Sequence, residues 1–286
     1  MRSLILALVA LVALLAGAAR ADGPFAEAWH DGTGSEPEIQ IQRLDQDSYV
    51  LRQSIRTNFE GPFLFLFFGK NKALLIDSGA GGLLIRPTIE KIMAETGRSA
   101  LPLVIAHTHG HGDHIAGDGE FAGLSSVTVV GHKPDEVAAF FQIAHWPDQS
   151  VEFDLGGRKI DIIPSPGHEA AEIAFFDRKT RILLMGDALY PGRLYCRPDN
   201  FDAFRKSVDR VVAATKDRNV AWILGNHIEM TNIAKRDLPM HALDHPHEHR
   251  LELPYGALLE LQKSLQSMGD RPQLDLHDDF IFYPLP

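Results

Sequence analysis

Five short apolar segments of this chain each end in a histidine or an aspartate that has a glycine close by. The residues in question are Asp77, the cluster His107–His114, His168, Asp187 and His227. In α/β folds the loops at strand ends carry functional side chains on a rigid scaffold, and glycine permits the sharp turns that bring such side chains together. The pattern therefore predicts a fold in which several strand ends share one site.

Apolar runs and amphipathic segments alternate along both halves of the chain. Strands are predicted at Ser48–Ile55, Phe63–Gly69 and Lys72–Gly79, and at "LPLVIAHTH", "VTVVGH", "KIDIIPS", "EIAFFD", "RILLMGD" and "AWILGNH". Helices are predicted at Arg86–Gly97, at "PDEVAAFFQIA", at "NFDAFRKSVDRVVAAT" with Asn200 as N-cap, and at "PYGALLELQKSLQSMG". Residues 22–37 read as a loose lead-in, and "DFIFYP" reads as a last edge strand. No linker divides the halves, so residues 22–286 are interpreted as one α/β domain with two sheets and helices outside them.

Residues 1–21 have the layout of a secretory signal peptide. Arg2 precedes the wholly apolar stretch Leu4–Ala16, and Ala19-Arg20-Ala21 fits a small-x-small cleavage site. The apolar stretch is shorter than the roughly 20 residues that a membrane span requires. We therefore expect an exported protein, periplasmic or secreted, without stable membrane association.

The net charge restricts the class of partner. The formal charge of the whole chain is −10, and it becomes −12 when the two arginines of the signal are removed. An acidic surface argues against nucleic acid as a partner, so we expect a small-molecule substrate and leave the oligomeric state open. The single cysteine, Cys196, excludes an intrachain disulfide, and the default expectation for it is a packed thiol.

The segment "HTHGHGDH", His107–His114, concentrates metal-ligand side chains. His109 and His111 are two residues apart, so in an extended segment both point the same way and can bind one metal. Asp113 and His114 follow Gly112, where the chain turns into a helix, and can face a second metal. Imidazole and carboxylate are ligands of zinc, and with less preference of iron or manganese.

This motif, T-H-x-H-x-D-H at residues 108–114, resembles that of the metallo-β-lactamase-fold hydrolase superfamily, and the later motifs follow in the expected order over roughly Tyr49 to Met230. The resemblance implies a four-layer αββα sandwich that holds two divalent metal ions, zinc first, with iron or manganese as alternatives. Asp187 would bridge the two ions, and Asp77 would support the cluster loop without binding metal. The implied ligands are His109, His111 and His168 for the first ion, and Asp113, His114 and His227 for the second.

Two residues are candidates for a catalytic role. Two metals roughly 3.5–4 Å apart can share a water and lower its pKa, and Asp113 could orient that nucleophile and pass a proton to the leaving group. Tyr190 lies in "DALY". Some lactonases of the superfamily have a D-x-x-Y tyrosine that contacts the substrate carbonyl oxygen. An oxyanion donor and an aromatic ring packed behind Asp187 both remain open for Tyr190.

The bridging aspartate also bears on the substrate. β-Lactamases of this superfamily generally have cysteine or serine where this chain has Asp187, so the resemblance favours lactonase, thioesterase or phosphodiesterase chemistry. Export weakens a thioesterase acting on a glutathione conjugate that is made inside cells. We predict hydrolysis of a carboxylic ester, most plausibly a lactone. The alternatives are a metallo-β-lactamase, a mono-iron persulfide dioxygenase and a non-catalytic exported zinc-binding protein.

The other histidines are interpreted without a metal. His107 is expected to be structural, and His132 a surface residue. The segment "HALDHPHEH", which begins at His241 and ends at His249, is interpreted as a solvated loop that could border the pocket.

Overall fold

The first half of the chain forms a six-stranded sheet. The computed structural model describes residues 23–286, and the predicted signal peptide at residues 1–21 lies outside them. The elements of this half are β1 (Ile39–Asp45), β2 (Ser48–Gln53), β3 (Phe63–Phe68), β4 (Ala73–Ile76), α1 (Arg86–Glu95), β5 (Leu103–Ala106), α2 (Gly112–Ile115), β6 (Val127–Val129) and α3 (Pro134–Phe141). The strands lie side by side in chain order, antiparallel from β1 to β4 and parallel from β4 to β6.

The second half forms a matching sheet and a small third one. Its elements are β7 (Val151–Asp154), β8 (Lys159–Pro164), β9 (Ile173–Asp177), β10 (Ile182–Leu184), β11 (Arg193–Cys196), α4 (Phe201–Thr215), β12 (Trp222–Leu224), β13 (Glu252–Leu253), α5 (Tyr255–Ser267), β14 (Asp275–Leu276) and β15 (Ile281–Pro284). The second sheet has the order β13-β12-β10-β9-β8-β7, and the third has the order β11-β15-β14. Strands β10 and β12 pair parallel.

Period-two alternation decides which layer each strand residue enters. In β3, Phe63, Phe65 and Phe67 enter the core between the two large sheets, and Leu64 and Leu66 enter the core on the opposite face. Successive side chains of a strand point to opposite faces, so a continuously apolar strand is buried on both. The phenylalanine face of β3 therefore holds the two sheets together.

Helices cover the outer faces of both sheets. Ile89, Ile92 and Met93 of α1 pack on the first sheet. The second sheet is covered by α4, α5 and the third sheet, through residues such as Phe204 and Leu261. The predicted four-layer αββα sandwich is confirmed. None of the helices in residues 23–286 has both the length and the hydropathy that crossing a bilayer requires.

Several details of the sequence prediction are wrong. The strands β1, β7 and β11 escape prediction because their apolar runs are short or interrupted by charged residues. The predicted edge strand "DFIFYP" instead supplies β15, the central strand of the third sheet. Asn200 stands at the N-cap of α4, but its side chain makes no capping hydrogen bond.

The lead-in is packed rather than loose. Residues 23–37 form neither helix nor strand, yet Trp29 is buried, and its ring packs edge-on against Phe63 with centroids 4.9 Å apart. The Arg52 guanidinium donates to the His30 carbonyl and forms a buried ion pair with Glu248. The Arg52 side chain therefore links the lead-in to the histidine-rich segment that contains Glu248.

The topology brings the candidate ligands to one edge of the sandwich. Strands β4 and β5 run parallel in the first sheet, and β10 and β12 run parallel in the second. Their carboxyl ends therefore lead into Asp77, the His107–His114 segment, Asp187 and His227, respectively. Strand β8 runs in the same direction as β10, because β9 pairs antiparallel with both, and it leads to His168.

Candidate metal centre

Three imidazoles converge in the first of two adjoining groups. His111 Nδ1 lies 2.9 Å from His109 Nε2 and 3.0 Å from His168 Nε2. The second ring nitrogens of His109 and His168 already have hydrogen-bond partners. His109 Nδ1 lies 3.2 Å from Thr108 Oγ1, and His168 Nδ1 donates to the Tyr195 carbonyl at 2.9 Å. With these tautomers the Nε2 atoms of His109 and His168 both direct a lone pair at His111 Nδ1. A single proton on that nitrogen cannot satisfy both. A divalent cation fits this set of acceptors.

The second group combines two imidazoles with two carboxylates. Asp113 Oδ2 lies 3.1 Å from His114 Nε2 and 3.3 Å from His227 Nε2. His227 Nδ1 donates to the Glu60 carbonyl at 2.9 Å, so its Nε2 faces the group. The fourth member is Asp187, whose Oδ1 lies 3.4 Å from His227 Nε2. These four side chains have the donor types and spacing of a metal site.

Asp187 reaches both groups. Its Oδ2 lies 3.6 Å from His168 Nε2 and 3.8 Å from His109 Nε2 in the first group, and 3.7 Å from His114 Nε2 in the second. Its Oδ1 is buried and makes no hydrogen bond within residues 23–286. Leaving a buried carboxylate oxygen without a partner is costly, so its position between the two groups suits a bridging ligand.

Asp77 organises the loop that carries the ligands. Its Oδ1 accepts from the Thr108 backbone N–H at 2.7 Å, and its Oδ2 accepts from the Thr108 hydroxyl at 2.9 Å. The same Oδ2 accepts from His114 Nδ1 at 3.1 Å and from Asn226 Nδ2 at 2.5 Å. The carboxylate thereby fixes the His114 tautomer with Nε2 toward the group, as supporting residues of metal sites do. Asp77 itself adopts a left-handed φ of 64°, which aspartate tolerates better than most residues.

Charges are strongly coupled across the second group. Burial would lower the pKa of His227, but the carboxylates of Asp187 and Asp113 raise it to about 10. Burial would raise the pKa of Asp113, but hydrogen bonds from His114 and His227 hold it far below its usual range. The pKa of His109, buried and close to His114, is lowered well below its usual value. Without metal, protons on His114 and His227 therefore offset the two carboxylates, and a metal ion must displace them.

A third cluster, made of His107, Asp118 and His132, differs from these groups. The Asp118 carboxylate lies between the rings, 2.9 Å from His107 Nε2 and 2.7 Å from His132 Nε2. His107 Nδ1 is buried without a hydrogen-bond partner in the described part of the chain, whereas a metal-ligating histidine almost always donates its second nitrogen. The Asp118 carboxylate thus holds the two rings by hydrogen bonds, which agrees with a structural His107. His132, predicted as a surface residue, is only about one-third exposed.

Tyr190 lies beside His227, with ring centroids 5.6 Å apart. Its hydroxyl donates to the Arg193 carbonyl at 2.5 Å and lies 3.0 Å from Glu229 Oε2. A substrate contact would require this hydroxyl to leave those partners, so its catalytic role stays a prediction. Cys196 is buried, and burial raises the pKa of its thiol to about 12. It contributes no donor to either group.

A cavity of ≈240 Å³ adjoins the second group. Glu60 and Tyr195, whose carbonyls accept from His227 and His168, both line it. His241 and His245 also line it, so the histidine-rich segment borders the pocket without joining the metal groups.

The sequence analysis overlooked four residues around the centre. The carbonyls of Glu60 and Tyr195 accept from the candidate ligands His227 and His168, and the amide of Asn226 donates to Asp77. Glu172 is fully buried, and its carboxylate makes no hydrogen bond within the described residues. Burial, with the Asp187 charge as a second cause, raises the pKa of Glu172 well above its usual range. Of these four residues, only Asn226 could have been identified from the sequence, because it precedes His227 at a strand end.

Comparison with known proteins places these features in context. The family model of the metallo-beta-lactamase superfamily matches residues 58–253, which include all seven candidate ligands. A hydroxyacylglutathione hydrolase from Rhizobium meliloti is 27% identical over 176 residues, which span 59% of this chain and 67% of that protein. Another from Prochlorococcus marinus is 34% identical over 101 residues, 32% of this chain and 40% of that protein.

Solved structures share the fold at low identity. A metallo-beta-lactamase from Pontibacter korlensis superposes with a TM-score of 0.54 at 15% identity, covering 80% of this chain and 99% of that one. One from Hirschia baltica gives a TM-score of 0.52 at 15% identity, covering 67% and 91%. At this identity the likeness concerns the fold alone.

Proposed function

The chain belongs to the metallo-beta-lactamase superfamily and is a metal-dependent hydrolase of it, and from that premise we propose that it is a dinuclear, zinc-preferring hydrolase of carboxylic esters, including lactones. The observation that carries this proposal is the shared position of Asp187. One carboxylate lies within 3.4–3.8 Å of nitrogens in both ligand groups, as expected of a residue that links two ions.

The proposed ligand sets follow the geometry of the two groups. His109, His111 and His168 would hold one ion, and Asp113, His114 and His227 the other, with Asp187 between them. Two such ions, when bound, lower the pKa of a shared water and polarise the substrate carbonyl. Asp77, Thr108 and the carbonyls of Glu60 and Tyr195 orient the imidazoles, as described above.

Asp113 is proposed to move the proton. Its Oδ2 faces His114 and His227, whereas its Oδ1 makes no hydrogen bond within residues 23–286, and the side chain is 22% exposed. The free oxygen can accept the proton of the attacking water and deliver it to the leaving group. Tyr190 remains a candidate oxyanion donor, provided its hydroxyl leaves Arg193 and Glu229.

A thioester is the second candidate substrate. The curated relatives are named as hydroxyacylglutathione hydrolases, which favours acyl transfer to water and leaves open whether the leaving group is an alcohol or a thiol. We also propose that the protein is exported, on the signal-like composition of residues 1–21. Both proposals extend beyond the family assignment.

Elemental analysis combined with titrated proton release at constant pH tests the proposal. The purified chain should contain two metal ions per molecule and hydrolyse lactones or simple esters. Asp187→Ala should reduce turnover about a hundredfold or more. Asp118→Asn, which alters the third cluster instead, should retain it. One iron per chain without zinc would point to the persulfide oxidation alternative, and readily released zinc without turnover would point to a metal carrier. Selective turnover of β-lactams would contradict the inference from Asp187 that the substrate is an ester rather than a β-lactam.

A further inference from the structure

The cavity beside the second ligand group has both apolar and polar walls, and its polar residues include the acids Glu60 and Glu229. Phe59, Ile228, Leu238 and Met240 are among the residues that line its ≈240 Å³. Ile228 directly follows His227 in the chain. The Glu60 carbonyl, in the same wall, accepts from His227, so a substituent of a substrate bound at the metal centre would have a compartment of limited size, partly lined by apolar side chains, beside it.

Arg193, which lines this cavity, is already paired. Its Nε lies 2.8 Å from Asp237 Oδ2 and its Nη1 lies 3.4 Å from Glu229 Oε1, and it donates a further hydrogen bond to the Leu238 carbonyl. Its side chain is only 3% exposed. Two carboxylates thus face this guanidinium, and Arg193 has little charge to offer to an anionic substrate.

Glu60 is the acid in this cavity that lacks a partner. Its backbone N–H and carbonyl are hydrogen-bonded to Asn58 and His227, but its carboxylate makes no hydrogen bond or ion pair within residues 23–286. The residue is half-buried and lines the cavity wall. A partly desolvated carboxylate that makes no direct ion pair attracts a positive charge more strongly than a solvated one.

We propose that this cavity is a subsite for a substrate substituent that carries an ammonium group, and that Glu60 is the residue that determines this specificity. The proposal rests on the ester hydrolase function argued above. The apolar walls would contact the alkyl groups of the substituent, and the Glu60 carboxylate would face its charge.

Direct binding separates this proposal from the hydrolase function. The metal-loaded full chain is titrated with choline and with its uncharged isostere 3,3-dimethylbutanol, by calorimetry or ligand-observed NMR. Choline should bind about ten- to a hundredfold more tightly than the isostere. Glu60→Gln should remove most of that difference, whereas Glu90→Gln, on the exposed surface of α1, should preserve it. Equal binding of the two probes, or a preference that survives in Glu60→Gln, would overturn the proposal.

Turnover then links the subsite to catalysis. Acetylcholine and 3,3-dimethylbutyl acetate have the same acyl group and nearly the same shape, so their ratio of kcat/KM isolates the charge. The ratio should favour the cation about ten- to a hundredfold and approach one in Glu60→Gln. If choline binds through Glu60 but neither ester is hydrolysed, the subsite stands and the ester hydrolase function fails. If both esters are hydrolysed at equal rates, the ester hydrolase function stands and the subsite proposal fails.

Discussion

Replacing Asp77 by asparagine should loosen the metal centre although the two side chains have nearly the same size and shape. Asparagine keeps one oxygen, which can still accept from the Thr108 N–H, but it places an amide N–H₂ where Oδ2 accepts from three donors. The Thr108 hydroxyl can rotate and become an acceptor. His114 Nδ1 and Asn226 Nδ2 cannot, and turning the Asn226 amide would sacrifice its 2.8 Å bond to the Phe63 carbonyl.

The magnitude follows from two buried donors that lose an acceptor. Each costs about 1–3 kcal/mol, so the free energy of unfolding of the metal-free Asp77→Asn protein should fall by about 2–6 kcal/mol. His114 would also lose the acceptor that holds its Nδ1 proton and directs its Nε2 toward the ligand group. Loss of such a supporting contact lowers metal affinity about 10–100-fold.

Two measurements check this prediction. Urea unfolding of the metal-free protein gives the stability, and competition with a chromophoric chelator gives the affinity for zinc. Asp118→Asn is the matched control, because Asp118 also accepts from two histidines but stands outside the two ligand groups. Zinc affinity should be unchanged in the control. Equal affinities for the Asp77→Asn and wild-type proteins would refute the role assigned to Asp77.

Three further predictions concern buried charges. Glu248→Gln leaves the Arg52 guanidinium, 2% exposed, without its counter-charge and should lower the free energy of unfolding by about 3–5 kcal/mol, measured by urea denaturation. Because the pKa of His227 is about 10 without metal, zinc binding at neutral pH should release protons and tighten as pH rises; calorimetry in buffers of different ionisation enthalpy would detect this, and a pH-independent affinity would contradict it. Burial raises the pKa of Glu172 above its unfolded value, so its contribution to stability is full below roughly pH 4.3 and is lost as pH rises. Glu172→Gln has no such group to ionise. The urea midpoint of Glu172→Gln minus that of the wild-type protein, both measured without metal, should therefore increase as pH rises.

The sequence predicts the fold class from patterns that are local. The continuous apolar run "FLFLFF" indicates a strand buried on both faces, and the amphipathic pattern of residues 201–215 indicates an outer helix. The short strands β7 and β11 escape because they have too few apolar residues to stand out. Strand β11 moreover pairs with a segment distant in the chain, Ile281–Pro284, whereas β7 pairs with the next strand, β8.

The sequence by itself determined which side chains can bind metal, because imidazole and carboxylate identities and their positions at strand ends are written in the residues. Only the tertiary structure decided how these groups are held and oriented. His168 and His227 donate to the carbonyls of Tyr195 and Glu60, and every residue has a carbonyl, so no residue type signals that contact. Likewise Glu60 lines the pocket only because the loop between β2 and β3 meets the segment after His227. Contacts between segments so far apart in the chain depend on how the two sheets pack, and that packing is set by the whole buried core rather than by any single motif.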